Sequence, residues 1–503
     1  MKKQTLRILS LTLIIALCIS TVACANAMGG TKNDATSGYY DAEFSGESYT
    51  EIIENPFINA TEKPNSYFSI DANTASYPNL RRIIKAGGRI YRDAVRVEEM
   101  LNYFNYNYET PTDGSVLSLT SSLFDTPYNQ ETKLLTIGLA AQEIEFKSIK
   151  NNIVFLIDVS GSMTSPDKLP LVQQAFSLMV ENLNPDDRVS IVVYAGSDAV
   201  VLEGAYGHEK QRILDAIADL RAGGSTAGSA GIRTAYRLAS QYFIEGGNNR
   251  VILATDGDFN VGITTIGGLE ELVKQKAKTG VYFSVFGFGS GNIKADKMET
   301  LALNGNGTWG YIDSITEARR MLVEQIGGTL VTVAKDVKAG ITFNPEYVES
   351  YRLVGYENKL LTQEEFESSE TDAGELGSGH TVTVVYEIKL TGKALAEGDK
   401  IADVKIKYKP TENVGGDAET EEELVLTVGT DRYHTTLTET DKFVASVVEF
   451  ALILRSSQYK GEANFIDLIA RLDSLDLAND EVKAEFRSMV KKYYDSLSGR
   501  VQQ

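Results

Sequence analysis

The chain has 503 residues, of which 43% are apolar and 23% are charged, an ordinary composition for a globular protein. At about 100–200 residues per domain, this length allows several domains. The 49 basic and 69 acidic residues give a net charge of −20. Such a surface repels phosphate groups and no clustered basic stripe offsets it, so we expect no nucleic-acid binding.

The N-terminus predicts export. The basic stretch "MKKQTLR" precedes the apolar run "ILSLTLIIALCISTVAC", which is short for a transmembrane helix of about 20 residues. Its end, "STVAC", resembles a bacterial lipobox in which Cys24 is lipidated, although Thr21 stands where such boxes usually carry Leu. Cleavage by ordinary signal peptidase at "ANA" (25–27) and an uncleaved anchor remain alternatives.

Cysteine usage favours the lipoprotein interpretation. Cys18 and Cys24 are the only cysteines, so a mature chain beginning at Cys24 holds one cysteine and no disulfide. We therefore expect a protein held by a lipid anchor on the extracytoplasmic face of a bacterial cell membrane.

Composition and periodicity change several times along the chain. After the leader comes a Gly-, Ser-, Thr- and acid-rich stretch, and near the C-terminus apolar residues recur at helical spacing. The predicted segments are a signal peptide (1–23), a flexible tether (24–54), an N-terminal flanking region of helices and strands (55–150), an α/β domain (151–328), a β-rich module of antiparallel type (329–432) and a helical region (433–503).

The α/β segment predicts a doubly wound, mostly parallel sheet. Its apolar strands are "NIVFLID", "RVSIVVYA", "RVILATD", "VYFSVFGFG" and "TWGYID", and helical patterns occupy 168–183, 209–221, 228–244, 267–278, 294–303 and 315–326. Continuously apolar strands that alternate with helices indicate a parallel sheet covered on both faces. The stretch 199–205 follows the second strand closely and predicts an antiparallel edge strand.

Oxygen-bearing side chains follow the strands of this segment. Asp158, Ser160 and Ser162 end the first strand, Thr226 lies in the Gly-rich loop "AGGSTAGSAG", and Asp256 ends the strand "RVILATD". Functional groups of open α/β sheets gather at the carboxyl ends of the strands. An all-oxygen set with two carboxylates suits Mg²⁺ or Mn²⁺ rather than zinc. Such an ion is neutralised but still open to one more anionic oxygen, for example a carboxylate of a partner.

The stretches "DVSGSM", "GGSTAG" and "TDGD" resemble the three segments of the metal-ion-dependent adhesion site in von Willebrand factor type A domains. The resemblance implies that Ser160, Ser162 and Thr226 supply hydroxyl ligands, and that Asp158 and Asp256 act directly or through water. "NPFINA", "VRVEEMLNYFNY" and "VAKDVKAGITFNP" also resemble the flanking regions of bacterial lipoproteins with a central von Willebrand A domain. The resemblance therefore implies a Rossmann-like central domain with one flanking region on its N-terminal side and another on its C-terminal side.

Ordinary structural roles and other kinds of site are the alternatives for these and similar residues. Ser and Asp after a strand often cap helices, and Asp258 is interpreted as a solvated turn residue. His208, His380 and His434 are the only histidines, and none lies in a motif typical of a general base. The loop "GGSTAGSAG" lacks the Lys of a P-loop, and "FGFGSGN" follows a late strand. We expect neither enzymatic activity nor nucleotide binding.

The sequence thus predicts a binding protein that recognises an acidic side chain of a protein partner through a bound Mg²⁺ or Mn²⁺ ion. The alternative is a structural or assembly role at the cell envelope, in which the metal only stabilises the fold.

Overall fold

Within the described residues, the segments before and after the central α/β segment share sheets and hydrophobic cores with each other. The computed structural model describes residues 46–195, 197–223, 229–257, 266–417 and 419–500. The predicted signal peptide, the lipidation residue Cys24, the proposed ligand Thr226 and Asp258 lie outside these ranges.

From residue 46 onwards, the N-terminal part supplies four strands and two α-helices. They are β1 (Ile58–Asn59), β2 (Asn65–Ser69), α1 (Ser76–Lys85), α2 (Val97–Asn102), β3 (Leu117–Asp125) and β4 (Lys133–Ala141).

The central part alternates strands and helices. In chain order these are β5 (Asn151–Asp158), α3 (Leu169–Glu181), β6 (Arg188–Ala195), β7 (Ser197–Tyr206), α4 (Lys210–Ala218), α5 (Ser229–Gln241), β8 (Asn248–Thr255), α6 (Ile266–Ala277), β9 (Val281–Phe288), α7 (Ala295–Asn304), β10 (Trp309–Ile312), α8 (Ile315–Arg319) and α9 (Ile326–Leu330).

The C-terminal part is first strand-rich and then helical. It contains β11 (Thr332–Phe343), β12 (Val348–Val354), α10 (Gln363–Glu367), β13 (Gly374–Gly377), β14 (Thr381–Leu390), β15 (Lys400–Pro410), β16 (Glu422–Gly429), β17 (Tyr433–His434), α11 (Glu439–Arg455), α12 (Phe465–Asp473) and α13 (Glu481–Arg500). None of the helices in the described ranges combines the length and hydropathy needed to cross a lipid bilayer.

The central sheet has the strand order β10-β9-β8-β5-β6-β7. β5 pairs in parallel with both β6 and β8, and β7 is the antiparallel edge strand, which confirms the predicted doubly wound fold. Along β5, Ile153, Phe155 and Ile157 enter the core on one face, and Val154 and Leu156 enter the core on the other. The chain winds one way from β5 and the other way from β8, so the topological switch point lies between these two strands.

The flanking segments form a β-sandwich with strands from both sides of the α/β segment. One sheet has the order β1-β12-β14-β4-β3-β17, and the other has β13-β11-β15-β16 with β2 also paired to β11. Ile137 on β4 stands opposite Val384 on β14, and the inner faces of the two sheets share one hydrophobic core. The α/β domain is therefore an insertion between β4 and β11 of a single sandwich.

A helical layer covers the outer face of the first sheet. α1 and α2 share a core with α11, α12 and α13, and Phe124, Leu134 and Val385 from the sheet contribute to it. The N-terminal and C-terminal segments thus fold together as one body around the inserted domain.

The last predicted helix of the α/β domain, 315–326, is not continuous. A π-helical turn at Arg320–Glu324 separates α8 from α9. The Arg320 guanidinium bonds Glu317 one turn back, at 2.6 Å, and Gln325 at 2.7 Å. These contacts stabilise the wider turn, and the two glycines of "EQIGGTL" are poor helix formers that do not sustain a regular helix beyond it.

Arg81 on α1 joins three parts of the chain. Its guanidinium Nη2 lies 2.7 Å from Glu317 on α8, and its Nε donates to Asp313 at 2.8 Å. Nη1 donates to Glu485 on α13 and to the Tyr103 hydroxyl, both at 2.9 Å. Burial alone would raise the pKa of Glu317, but the positive charges of Arg320 and Arg81 hold it below its ordinary value.

We predict that Arg81→Met lowers the free energy of unfolding by about 3–5 kcal/mol, because it leaves the buried Asp313 carboxylate without a cationic partner and Glu317 with Arg320 alone. Lys85→Met is the matched control, since Lys85 pairs with the same Glu485 but is 54% exposed. Its loss should cost less than about 1 kcal/mol in urea unfolding. Equal decreases in the free energy of unfolding of the two variants would contradict the role of Arg81 in connecting α1, α8 and α13.

A second buried charge cluster carries more carboxylates than cations. Its acidic members are Asp71, Glu98, Glu99, Glu299 and Glu357, and its cations are Arg96, Lys359 and Arg455. Burial and the charge of Glu357 raise the pKa of Glu98 to about 7. Burial, opposed by Arg96, raises the pKa of Glu99 to about 8. Protons therefore stay on this cluster near neutral pH.

We predict that stability falls as pH rises from about 5 to 8. The native state holds protons that the unfolded state, with carboxyl pKa values near 4.5, has already released. Each such proton contributes a slope of up to about −1.4 kcal/mol per pH unit. Glu99→Gln, which mimics the protonated acid, should flatten the profile measured by urea unfolding at several pH values. A wild-type profile that is flat or rises over this interval would refute the assignment.

Candidate functional site

Two carboxylates lie at the carboxyl ends of neighbouring parallel strands. Asp158 is the last residue of β5, and Asp256 directly follows β8, whose Ala254 stands opposite Ile157. Asp158 is 0% and Asp256 1% exposed. The negative charge of Asp256 is close enough to contribute to a raised pKa of Asp158. The strand ends thus bring together the two acids that the sequence assigns to one site.

The hydroxyl groups after β5 face each other. Ser160 Oγ lies 2.9 Å from Ser162 Oγ, on the short 3₁₀ turn Gly161–Thr164. Ser160 is the N-cap residue of that turn, but its side chain makes no capping hydrogen bond. The helix that follows, α3, has Lys168 as its N-cap residue and also lacks a side-chain cap. Helix capping therefore does not account for these serines.

The spacing of the two hydroxyl oxygens fits a small divalent cation. Octahedral Mg²⁺ binds oxygen at about 2.1 Å, so neighbouring ligands are about 3.0 Å apart. The Ser160 and Ser162 hydroxyls are hydrogen-bonded to each other at 2.9 Å, and the same separation would let both oxygens bind one such cation. Within the described ranges, no group of three or more His, Cys, Asp or Glu side chains is arranged to hold a metal. A cation here would depend on two carboxylates together with hydroxyl groups.

Asp158 is held by three donors. The Ser160 backbone N–H donates to Oδ1 at 2.8 Å, and the hydroxyls of Tyr194 and Thr255 reach Oδ2 at 3.3 Å each. Burial raises the pKa of Asp158 to about 6, although the hydrogen bonds from Ser160 act in the opposite direction. The negative charge is therefore costly in this position despite its donors.

Asp256 has a partner that sequence reasoning missed. Lys168 Nζ lies 2.7 Å from Asp256 Oδ2, and Asn292 Nδ2 approaches the same oxygen at 3.4 Å. One signal was available, because a Lys immediately before a helix faces the positive end of the helix dipole and needs another partner. Asn292 lies in the Gly-rich stretch after β9, which carries no comparable signal.

Gly257 lets the chain turn directly after Asp256. Its φ of +99° favours glycine, and a Cβ atom there would lie 2.3 Å from the Asn292 carbonyl oxygen. The backbone after β8 can therefore pack against the Asn292 loop and keep the Asp256 carboxylate at the strand end.

A Ser–His–Asp group elsewhere resembles a hydrolytic triad only in composition. His434 Nε2 lies 2.9 Å from Ser122 Oγ and 3.1 Å from Asp441 Oδ2. A triad requires the acid and the serine on different ring nitrogens, but here both contact the same one. Ser122 also donates directly to Asp441 at 2.7 Å. The group fastens β17 and α11 to β3, a structural role.

Matches to known protein families cover most of the described chain. Residues 152–322 match the von Willebrand factor type A domain, and residues 43–136 match the family described as von Willebrand factor. Residues 328–495 match the family described as the C-terminal region of the uncharacterized protein YfbK. Residues 152–322, which carry the strand-end side chains, therefore form a von Willebrand A-type domain. More specifically, the chain is similar to the bacterial YfbK-like proteins, and the match to the von Willebrand A domain confirms that part of the resemblance drawn from the motifs.

Individual proteins are similar to parts of this chain. The chain is 38% identical over 382 residues to the uncharacterized protein YfbK of Escherichia coli, covering 74% of this chain and 65% of that protein. An uncharacterized protein of Synechocystis is 27% identical over 210 residues, with 40% and 47% covered. The chain thus spans less than two thirds of the length of either relative. A solved von Willebrand factor type A protein from Catenulispora acidiphila has a TM-score of 0.39 and 19% identity, covering 69% of this chain and 80% of its own.

Proposed function

We propose that this protein is a binding protein whose von Willebrand A domain holds Mg²⁺ or Mn²⁺ and recognises an acidic side chain of a protein partner. The observation that supports this most is the set of oxygen donors at the ends of β5 and β8. Asp158 and Asp256 end neighbouring strands, and the Ser160 and Ser162 hydroxyls are spaced as neighbouring ligands of one small cation.

Each residue of the set has a distinct part in this proposal. Ser160 and Ser162 supply hydroxyl ligands, and Thr226 supplies the third by its position in the family motif. Asp158 and Asp256 act directly or through water. When bound, a divalent cation offers an electropositive coordination position to a carboxylate. Binding rather than catalysis is the activity we propose for this site.

We predict saturable binding of Mg²⁺ and Mn²⁺ to the purified protein in titration calorimetry. Asp158→Asn and Thr226→Ala should each weaken it by about 10–100-fold or more, since even supporting groups of metal sites have effects of this size. Asp167→Asn is the matched control, because Asp167 lies near the same loop and accepts from Ser165 instead. It should bind like the wild type.

Two results would change the proposal. Negligible heat in all variants, with a melting temperature unchanged by excess metal, would contradict a metal site. Metal binding without any partner interaction that a chelator abolishes would favour the alternative, an envelope structural role in which the metal only stabilises the fold.

We also propose that Cys24 is lipidated and holds the protein at the extracytoplasmic face of the cell membrane. The lipobox-like "STVAC" carries this proposal. Cys24→Ser should abolish the incorporation of radiolabelled palmitate into the protein in growing bacterial cells, whereas Cys18→Ser should not. Palmitate labelling of the Cys24 variant at the wild-type level would refute lipidation at this residue.

A further inference from the structure

The Lys168 ammonium is buried in the candidate site, next to the Asp256 carboxylate. Lys168 precedes α3, its side chain is 9% exposed, and its Nζ lies 2.7 Å from Asp256 Oδ2. A buried lysine is rare unless it is paired, so this contact is the reason the side chain can be enclosed. The pair joins the loop after β5 to the end of β8.

The aliphatic part of Lys168 lies in a slot that depends on glycine. Gly289 has a φ of +74°, and a Cβ atom there would lie 2.3 Å from Lys168 Cγ and 2.6 Å from its Cε. The Gly289 carbonyl accepts a hydrogen bond from the buried Tyr311 hydroxyl at 2.5 Å. The slot therefore fixes where the ammonium group stands, unlike the freely moving head of a surface lysine.

Lys168 changes the net charge of the candidate site. Asp158 and Asp256, when ionised, contribute −2, and Lys168 contributes +1, so the metal-free group carries −1. A divalent cation changes the sum to +1 rather than to zero. The ammonium also repels a cation that approaches the same carboxylate, and this repulsion is strong where water is excluded.

We propose that Lys168 is an internal counter-ion that sets the metal affinity of this site. It neutralises Asp256 when no metal is present, and a divalent cation must bind against its charge. This inference rests on the proposed metal site and deepens it. The metal-bound site therefore has a low affinity for its cation and a net charge of +1. An acidic ligand neutralises that charge.

The test compares Lys168→Met and Lys168→Gln with the wild type, using the full chain purified in detergent. Mn²⁺ titration calorimetry gives the dissociation constant, and thermal unfolding in EDTA gives the stability of the metal-free protein. Lys294→Met is the control, because it removes a positive charge from the loop after β9, where Lys294 contacts the Gly46 carbonyl instead of Asp256.

We expect either Lys168 variant to bind Mn²⁺ roughly tenfold more tightly or better, and to unfold at a lower temperature in EDTA. In an Asp256→Asn background the same substitutions should lower the unfolding temperature much less, because the pair is already lost. Lys294→Met should match the wild type in both measurements. Mn²⁺ binding in the Lys168 variants but not in the wild type would also support the inference.

Other outcomes separate the two proposals. Equal Mn²⁺ dissociation constants for the wild type and both Lys168 variants would overturn the counter-ion role and leave the metal site standing. Weaker binding in the variants would overturn it as well, because Lys168 would then only position Asp256. Absence of Mn²⁺ binding in the wild type and both variants would overturn the metal site and this inference together.

Discussion

Two carboxylates buried at the ends of adjacent parallel strands need positive charge nearby. Asp158 and Asp256 meet because β5 and β8 pair in parallel at the switch point of the central sheet. Burying ionised groups is expensive unless they are paired or coordinate a cation. The surrounding arrangement follows from this requirement, from the Tyr194 and Thr255 hydroxyls at one carboxylate to the Lys168 ammonium at the other.

The rest of the molecule holds this domain in place. The domain is inserted between β4 and β11 of a sandwich whose sheets mix strands from both flanks. Arg81 joins α1, α8 and α13, so the end of the inserted domain is tied to the flanking helices. Removing the C-terminal module would take β14 away from β4. The sandwich into which the α/β domain is inserted would then be incomplete.

The sequence predicted the local pattern of the central domain well. Continuously apolar strands and the Asp and Ser residues that follow β5 and β8 indicated both the parallel sheet and the convergence of Asp158, Ser160, Ser162 and Asp256. These inferences depend on side chains close together in the chain and on a rule common to open sheets.

Other features depend on contacts between distant residues. The pairing of β4 with β14 joins residues more than 200 positions apart and has no local signal. Strand β13 has the sequence "GELG", which carries no strand pattern, and it is stabilised by pairing with β11. The Lys168–Asp256 pair required the loop after β5 and the end of β8 to be placed in space. Alternating apolar residues reveal a strand, but they do not say which strand lies beside it.

The most direct measurement is anomalous X-ray scattering from crystals of the protein soaked in Mn²⁺. The account predicts one strong anomalous peak within coordination distance of the Ser160 and Ser162 hydroxyls and beside the carboxylates of Asp158 and Asp256. A site without a peak at saturating Mn²⁺, with Lys168 still bound to Asp256, would contradict it. In that case the strand ends would be a neutralised structural junction rather than a metal-dependent binding site.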